Sequence, residues 1–498
     1  MKLKPRYIIL ITLFIAYFGT RVYFALQTPY FTDDYSYFVL RQVDHITKTG
    51  RPLINDDLSY GGRTHVFMPL YFYILAGFAL FFPKIIVIKI INNFFASTLI
   101  LAIYLICSKI VKNRKISLIC AIVAASIPTY INETLTSIST TSLVVPGGFF
   151  LLYLFLNIEK DKLDYLILLT LLIVLSSASA ILIVLGLIIF VLLCYLENAP
   201  LEKIELEYVA FFVFFFLWTN FIIFKEAFLK HGLSIIWSNI PSNVFSTYFT
   251  NINIAQAVSS IGLLPFVFGT YTTYNYLLKK KSKNVSLFIS LFLSTFLLFI
   301  LKLIQTNLAF VMMGISLVIL FGKFLRDFIL SMKKTKLAKF TNLAIIIVII
   351  LLLITQLIPG FILMTKNNNI KKEYIDGFIW LKNNTKKDSV VIAIPEEGNL
   401  ITYYGERKNI IDTDFLLIKD IEVRYKDVES VFTQKFRIEA LRILEKYNVD
   451  YIMFTEKAKE KYGIEDIAYI HDECFDLVLN RTVQIYKVNK TLCTLKES

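Results

Sequence analysis

Residues 340–363 read FTNLAIIIVIILLLITQLIPGFIL, a stretch without a charged side chain and longer than the ~20 residues that one helical crossing of a bilayer requires. No polar stripe interrupts residues 345–354, so a helix there meets lipid or other helices on every side. Directly after it the composition turns charged and polar, through the linker Lys366-Asn367-Asn368-Asn369. The chain is therefore expected to divide here into a membrane part, residues 1–365, and a soluble part, residues 366–498.

The rest of the chain agrees with that division. Of its 498 residues, 56% are hydrophobic and only 18% charged, and the mean hydropathy is +0.63, more apolar surface than a water-soluble fold can hide. A net charge of +14 does not point to nucleic acid, because the Lys and Arg residues fall mostly in short loops between apolar segments. Basic loops mark the cytoplasmic side at residues 2–6, 109–115, 159–163, 197–207, 279–283 and 323–339. The loops at 27–66, 131–141, 176–180, 225–253 and 302–306 are then outside. Residues 7–26 lack a small-residue cleavage site and are expected to stay as the first span, with the N-terminus cytoplasmic. Residues 68–82 are short for a crossing and, counted as one, would put the basic 109–115 loop outside. They are expected to form an interfacial helix, which leaves about eleven spans.

After the last span, residues 374–383 and 437–447 read as amphipathic helices. Residues 389–394 and 450–455 read as strands, and 475–488 as two more strands around Asn480-Arg481. The predicted fold class is a polytopic α-helical membrane protein with a C-terminal extracytoplasmic α/β domain. Outside the cytoplasm a disulfide between Cys474 and Cys493 is open, and Asn132, Asn383, Asn480 and Asn489 each begin an Asn-X-Ser/Thr triplet. There is no Walker-type phosphate loop, no CxxC pair and no HExxH, which removes several ATP-driven and metallopeptidase readings.

The chemistry is expected in the first outer loop, residues 27–66. It begins Pro29-Tyr30-Phe31-Thr32-Asp33-Asp34-Tyr35, runs into an amphipathic stretch with Tyr35, Val39, Val43 and Ile46 on one side, and reaches Gly50. Two adjacent acids at a helix start have an ordinary use, since Thr32 or Asp33 can cap the first turn and acids favour its positive dipole. Yet the order of a first span, an acidic pair followed by an aromatic (Asp33-Asp34-Tyr35), a Gly ending the next helix (Gly50) and a later Pro69-Leu70-Tyr71 element resembles the GT-C superfamily of membrane glycosyltransferases. That superfamily includes oligosaccharyltransferase catalytic subunits, protein mannosyltransferases and aminoarabinose transferases, and its donors are polyprenyl-phosphate-linked sugars.

The resemblance implies that Asp33 is the catalytic base and Asp34 its partner in positioning or metal binding. A sugar C1 on a lipid phosphate already has a leaving group, so the acceptor must only be oriented and relieved of a proton in one inverting displacement. Charge on the departing phosphate calls for an outer cation, for which Arg63 and His65, just ahead of Pro69-Leu70, and Lys302, near Gln305 and Asn307, are the candidates. A second acid in a later outer loop is a family feature, and Glu133 is the acid available here, displaced from the commoner position and equally readable as a solvated loop residue. If the enzyme uses a divalent metal such as Mg or Mn, Asp33, Asp34 and Glu133 would hold it.

The soluble domain invites comparison with oligosaccharyltransferases through Trp380-Leu381-Lys382-Asn383-Asn384-Thr385 and Tyr403-Tyr404-Gly405-Glu406-Arg407. Their Trp-Trp-Asp-Tyr-Gly signature is absent, and Ala393-Ile394-Pro395-Glu396-Glu397-Gly398 stands near its place. The resemblance thus stops short of whole-oligosaccharide transfer to asparagine, and the acceptor stays open among glycan, lipid and protein. A flippase or transporter of lipid-linked glycans would share the hydropathy, though transporters place ionisable groups near the bilayer midplane, whereas Asn92, Asn93 and Asn220 are neutral. A non-catalytic scaffold is the third reading.

Overall fold

The computed structural model describes residues 5–250, 252–366, 371–471 and 473–490. The chain divides into two compact units. One comprises Met1–Pro29, Met68–Ile223 and Thr247–Asn368, and the other Tyr30–Phe67, Phe224–Ser246 and Asn369–Ser498. The first outer loop thus clusters with the C-terminal residues, and the pairing of its charged side chains, described below, supplies the reason.

The first unit is a multi-pass helical bundle. Among the described residues, seven helices are long and apolar enough to cross a membrane, and up to nine if two bent helix pairs each count as one span, against the eleven expected. The difference lies in two short apolar helices, Thr141–Phe155 and Leu163–Ser176, of 15 and 14 residues; Leu70–Ala79, in the segment expected to be interfacial and not counted as a span, has 10. Thr306–Lys333 is the central helix, with 83% of its apolar window buried, against 22% for Ile8–Ala25 and 17% for Ala338–Lys366. Hydropathy alone does not rank these helices, because at the centre and at the lipid-facing edge the side chains are equally apolar.

One bent pair matters for the chemistry. Arg114–Ala125 and Pro128–Thr134 meet at 53°, since Pro128 has no N–H to continue the helical ladder. The carbonyls freed or exposed nearby are satisfied by side chains from other helices. Gln356 Nε2 donates to Val123 O at 2.8 Å and Tyr17 Oη to Ala125 O; from the short helix itself, Tyr130 Oη donates outward to Ala96 O of Lys84–Ser97 at 2.8 Å. Gln356 sits in a π-helical turn, Leu353–Leu357, of the last span.

The second unit contains a hairpin, β1 (Asn55–Asp56) against β2 (Arg63–Thr64), and a five-stranded sheet. Its strands are β3 (Val390–Ile392), β4 (Lys408–Asn409), β5 (Tyr451–Thr455), β6 (Phe475–Asn480) and β7 (Val483–Val488), in the order β4-β3-β5-β7-β6. Strand β3 runs parallel to β4 and β5, whereas β7 is antiparallel to β5 and β6. Helices Lys372–Asn384, Ile421–Thr433 and Arg437–Lys446 complete the domain, each with an apolar side such as Ile375, Phe378 and Leu381 buried. The possible Cys474–Cys493 pairing involves Cys493, outside the described residues.

Candidate active site

In the second unit the acidic pair opens helix Tyr35–Thr49, and its two members have different surroundings. Asp33 is half-buried. Its Oδ2 accepts from Ser36 N at 3.0 Å and its Oδ1 from Ser36 Oγ, so it does cap the helix. Asp34 is buried and accepts three bonds, from Asn399 Nδ2 at 2.7 Å, Asn399 N at 3.2 Å and Leu400 N at 3.0 Å. Burial pushes its carboxyl well above the usual range, against the pull of these donors. The turn that supplies them is tightly packed: a Cβ on Gly398 would lie 2.2 Å from Ile411 O. At the other end of the helix Gly50 takes a left-handed φ of 73° and donates to Ile46 O at 2.8 Å, which ends the helix where a glycine permits it.

Asp34 is therefore a strut between the first loop and residues 399–400, with its lone pairs occupied by protein donors. Among the described residues no group of three or more His, Cys, Asp or Glu side chains is arranged to hold a metal ion. With its oxygens accepting from Asn399 and Leu400, Asp34 is not presented to a metal ion.

Arg63 and His65 also lie in the second unit, and their donors are directed at protein acceptors rather than presented to a phosphate. Arg63 is buried over the ring of Tyr60, donates to Asp414 O and to Leu416 O at 2.6 Å, and pairs with Asp414 Oδ2 at 3.1 Å and Asp412 Oδ1 at 3.5 Å. His65 is held between Asp56 Oδ2 and Asp414 Oδ2, each 3.2 Å from one ring nitrogen. Burial works against its protonation, but the two carboxylates lift its pKa above the ordinary histidine value. Burial likewise works to raise Asp414, yet Arg63 and His65 hold it down to about 2. Arg41 closes the network with two bonds to Asp56, at 2.6 and 2.5 Å. Arg41, Arg63 and His65 thus face the carboxylates of Asp56, Asp412 and Asp414, so the polar contacts of Arg63 and His65 described here are with protein groups.

A further buried acid went unread in the sequence. Glu397 Oε1 accepts from Tyr374 Oη at 2.7 Å and from Thr455 Oγ1 at 2.6 Å, and burial pushes its pKa up to about 7. The Pro395-Glu396-Glu397-Gly398 run shows two acids, but nothing in it shows that one of them is enclosed.

In the first unit, Glu133 lies on Pro128–Thr134, and its Oε1 accepts from Asn307 Nδ2 at 2.7 Å. Asn307 belongs to the first turn of Thr306–Lys333, just after Lys302, whose φ of 54° turns the chain out of Lys283–Ile300. Lys302 lines a cavity of about 240 Å³ together with Phe249, Thr250, Ile252, Phe299, Ile300 and Thr306. Thr250 Oγ1 and Thr306 Oγ1 are 3.5 Å apart in it, and Thr306 also donates to Tyr248 O at 3.3 Å. One ammonium and two hydroxyls in an otherwise apolar cleft suit an anionic group carried on a hydrocarbon chain.

Neither a family-level sequence pattern nor any curated protein sequence matches the chain. Solved structures do. The fold is similar to that of an oligosaccharyltransferase of Archaeoglobus fulgidus in its apo form, with a TM-score of 0.69 at 14% identity, over 94% of this chain and 73% of that one. The archaeal oligosaccharyltransferase AglB of the same organism, solved with an inhibitory peptide and a dolichol-phosphate, matches at a TM-score of 0.65 and 14% identity over 89% and 69% of the two chains. Another structure of the Archaeoglobus enzyme contains Zn and sulfate. ArnT of Cupriavidus metallidurans bound to undecaprenyl phosphate matches at 0.56 and 10% identity, over 98% of this chain and 99% of that one. At these identities the likeness establishes a fold shared with these enzymes.

Proposed function

We propose that this GT-C-fold chain transfers a sugar from a polyprenyl-phosphate-linked donor to an acceptor on the extracytoplasmic face, with Asp33 as the base. The observation that carries the reading is the split within the acidic pair: Asp34 is buried and fully engaged, while Asp33 beside it is half-exposed and held by Ser36. A carboxylate fixed in one rotamer at a surface is what removal of an acceptor proton needs. Asp33 accepts the proton of an acceptor hydroxyl or amide as that atom bonds to the sugar C1. The bond from C1 to the donor phosphate breaks, the configuration at C1 inverts, and the polyprenyl phosphate leaves as an anion.

Lys302, in its cleft with Thr250 and Thr306, is the cation proposed for that anion, in place of Arg63 and His65. Glu133, oriented by Asn307, would accept a hydrogen bond from a sugar or acceptor hydroxyl. Dolichol phosphate and undecaprenyl phosphate in the AglB and ArnT structures support a long-chain polyprenyl carrier. The distribution of basic loops supports a reading with the N-terminus in the cytoplasm and the C-terminal domain outside.

The test is transfer of radiolabelled sugar from a panel of polyprenyl-phosphate donors by purified protein in lipid. Wild type is expected to transfer label, Asp33→Asn to keep its fold and lose turnover, and Asp34→Asn to lose both stability and turnover. Normal turnover by Asp33→Asn would remove the base from the reading.

A further inference from the structure

Arg21 lies in the first span, is 0% exposed and makes no ion pair with a carboxylate among the described residues. Its guanidinium donates to neutral side chains only. Nε reaches Asn93 Oδ1 at 2.9 Å, one terminal nitrogen reaches Tyr17 Oη at 3.2 Å, and the other reaches Thr134 Oγ1 at 2.7 Å. The rings of Tyr17 and Tyr130 flank its Cζ at 5.7 and 5.9 Å. A permanent charge enclosed in a membrane helix bundle is costly, and such a residue is by default engaged in function.

What Arg21 touches says what that function is. Tyr17 donates onward to Ala125 O, the last residue before the kink, and Thr134 closes the short helix after it. Arg21 therefore spans the corner between Arg114–Ala125 and Pro128–Thr134. Its neighbours hold the chain that leaves this corner. Asn93 Nδ2 donates to Leu135 O at 2.9 Å, and Asn92 Nδ2 donates to Thr134 O at 2.8 Å and Ser137 O at 3.0 Å. These are carbonyls at and just beyond a helix end, which have no intrahelical partner. Asn92 is in turn fixed by Tyr71 Oη at 2.8 Å. Only a planar fork can bond Asn93, Tyr17 and Thr134 at once, which a lysine's single nitrogen cannot do in this geometry.

We propose that Arg21 is a positioning residue: it clamps the kinked helix through Thr134 and so fixes the placement of Glu133, the residue next to it in sequence. This rests on the reading of Glu133 as part of the transfer chemistry, and the two are tested separately.

Placement is read without activity, by the rate at which a membrane-impermeant maleimide labels Glu133→Cys with position 21 as Arg, Lys or Gln. The labelling rate is expected to change about tenfold or more in Arg21→Gln and by less in Arg21→Lys. Turnover per folded molecule is expected to fall in Arg21→Gln mainly through kcat, and the double variant with Glu133→Gln is expected to be no slower than the slower single one. Tyr208→Phe, which removes a buried hydrogen bond to Thr170 elsewhere in this unit, is the control for a merely structural loss and should lower thermal stability alone. Where Arg21→Gln accumulates poorly, Thr134→Val removes the same contact from the other side and should give the same labelling change. Unchanged labelling in both variants, or effects of Arg21→Gln and Glu133→Gln that multiply, would overturn the proposal. Altered labelling together with normal turnover of Glu133→Gln would keep the clamp and discard the role given to Glu133.

Discussion

Replacing Arg63 by methionine asks whether this residue holds the second unit together or serves the donor. The guanidinium is enclosed over the Tyr60 ring, bonds Asp414 and Leu416 and pairs with Asp412. Methionine keeps most of the apolar volume but leaves the Asp412 and Asp414 carboxylates in a buried site without their guanidinium partner. Removing one partner from a buried charged network costs about 3–5 kcal/mol. For a unit of this size that corresponds to a fall of about 6–20 °C in its unfolding temperature. Arg41→Met is the internal comparison: its side chain is 17% exposed and pairs with Asp56 alone, so the fall should be smaller. The assay is thermal unfolding of purified protein in lipid, followed by a probe in the C-terminal domain, alongside donor KM for the folded fraction. A fall below ~2 °C, or a raised donor KM with unchanged stability, would refute the structural role and return Arg63 to the phosphate.

Other consequences are as direct. Glu397 has a pKa of about 7 against an ordinary 4.5, so the folded state holds an extra proton between these values; stability should decline by on the order of 3 kcal/mol as pH rises from about 4.5 to about 7, and Glu397→Gln should flatten that slope in pH-dependent melting. Asn399→Ala removes one donor from Asp34 without touching Asp33, and should cost about 1–3 kcal/mol of stability and slow transfer, as measured by melting and by turnover of the folded fraction. Lys302→Gln should lower kcat/KM for the donor by about 10–100-fold while leaving the unfolding temperature within ~2 °C of wild type, because the residue lines an open cleft and is not buried in a core.

How much of this was readable from the sequence depended on whether the deciding interaction is local. Strands Tyr451–Thr455 and Val483–Val488 and helix Arg437–Lys446 appear within a residue or two of where alternation and helical periodicity put them. The membrane class is plain in residues 340–363, since twenty apolar residues need no partner to be recognised. The number of spans was not, because a kink at Pro128 or a short helix such as Thr141–Phe155 has the same hydropathy as a straight crossing. In the acidic pair the capping reading and the proposed base fall on the same residue: Asp33 caps the helix while half-buried, and Asp34 is engaged by Asn399 and Leu400. Nothing near position 34 signals Asn399, and nothing near Arg63 signals Asp412 and Asp414, some 350 residues later. The Asp412-Thr413-Asp414 pair of acids was the one available hint that the loop cations had partners. Arg21 was hidden for the opposite reason: a single arginine within an apolar segment looks like the segment's end until Asn93 and Thr134 are seen around it.

The central claim is that the chain consumes a polyprenyl-phosphate sugar and that Asp33 removes the acceptor proton. The direct measurement is the stoichiometry of polyprenyl phosphate released to sugar transferred by wild type and Asp33→Asn, reconstituted in lipid and matched for folded protein. One phosphate released per sugar transferred by wild type, with inverted anomeric configuration in the product and both signals lost in Asp33→Asn, is the predicted result. Donor bound or moved across the bilayer without release of polyprenyl phosphate, or the same release from Asp33→Asn as from wild type, would contradict it.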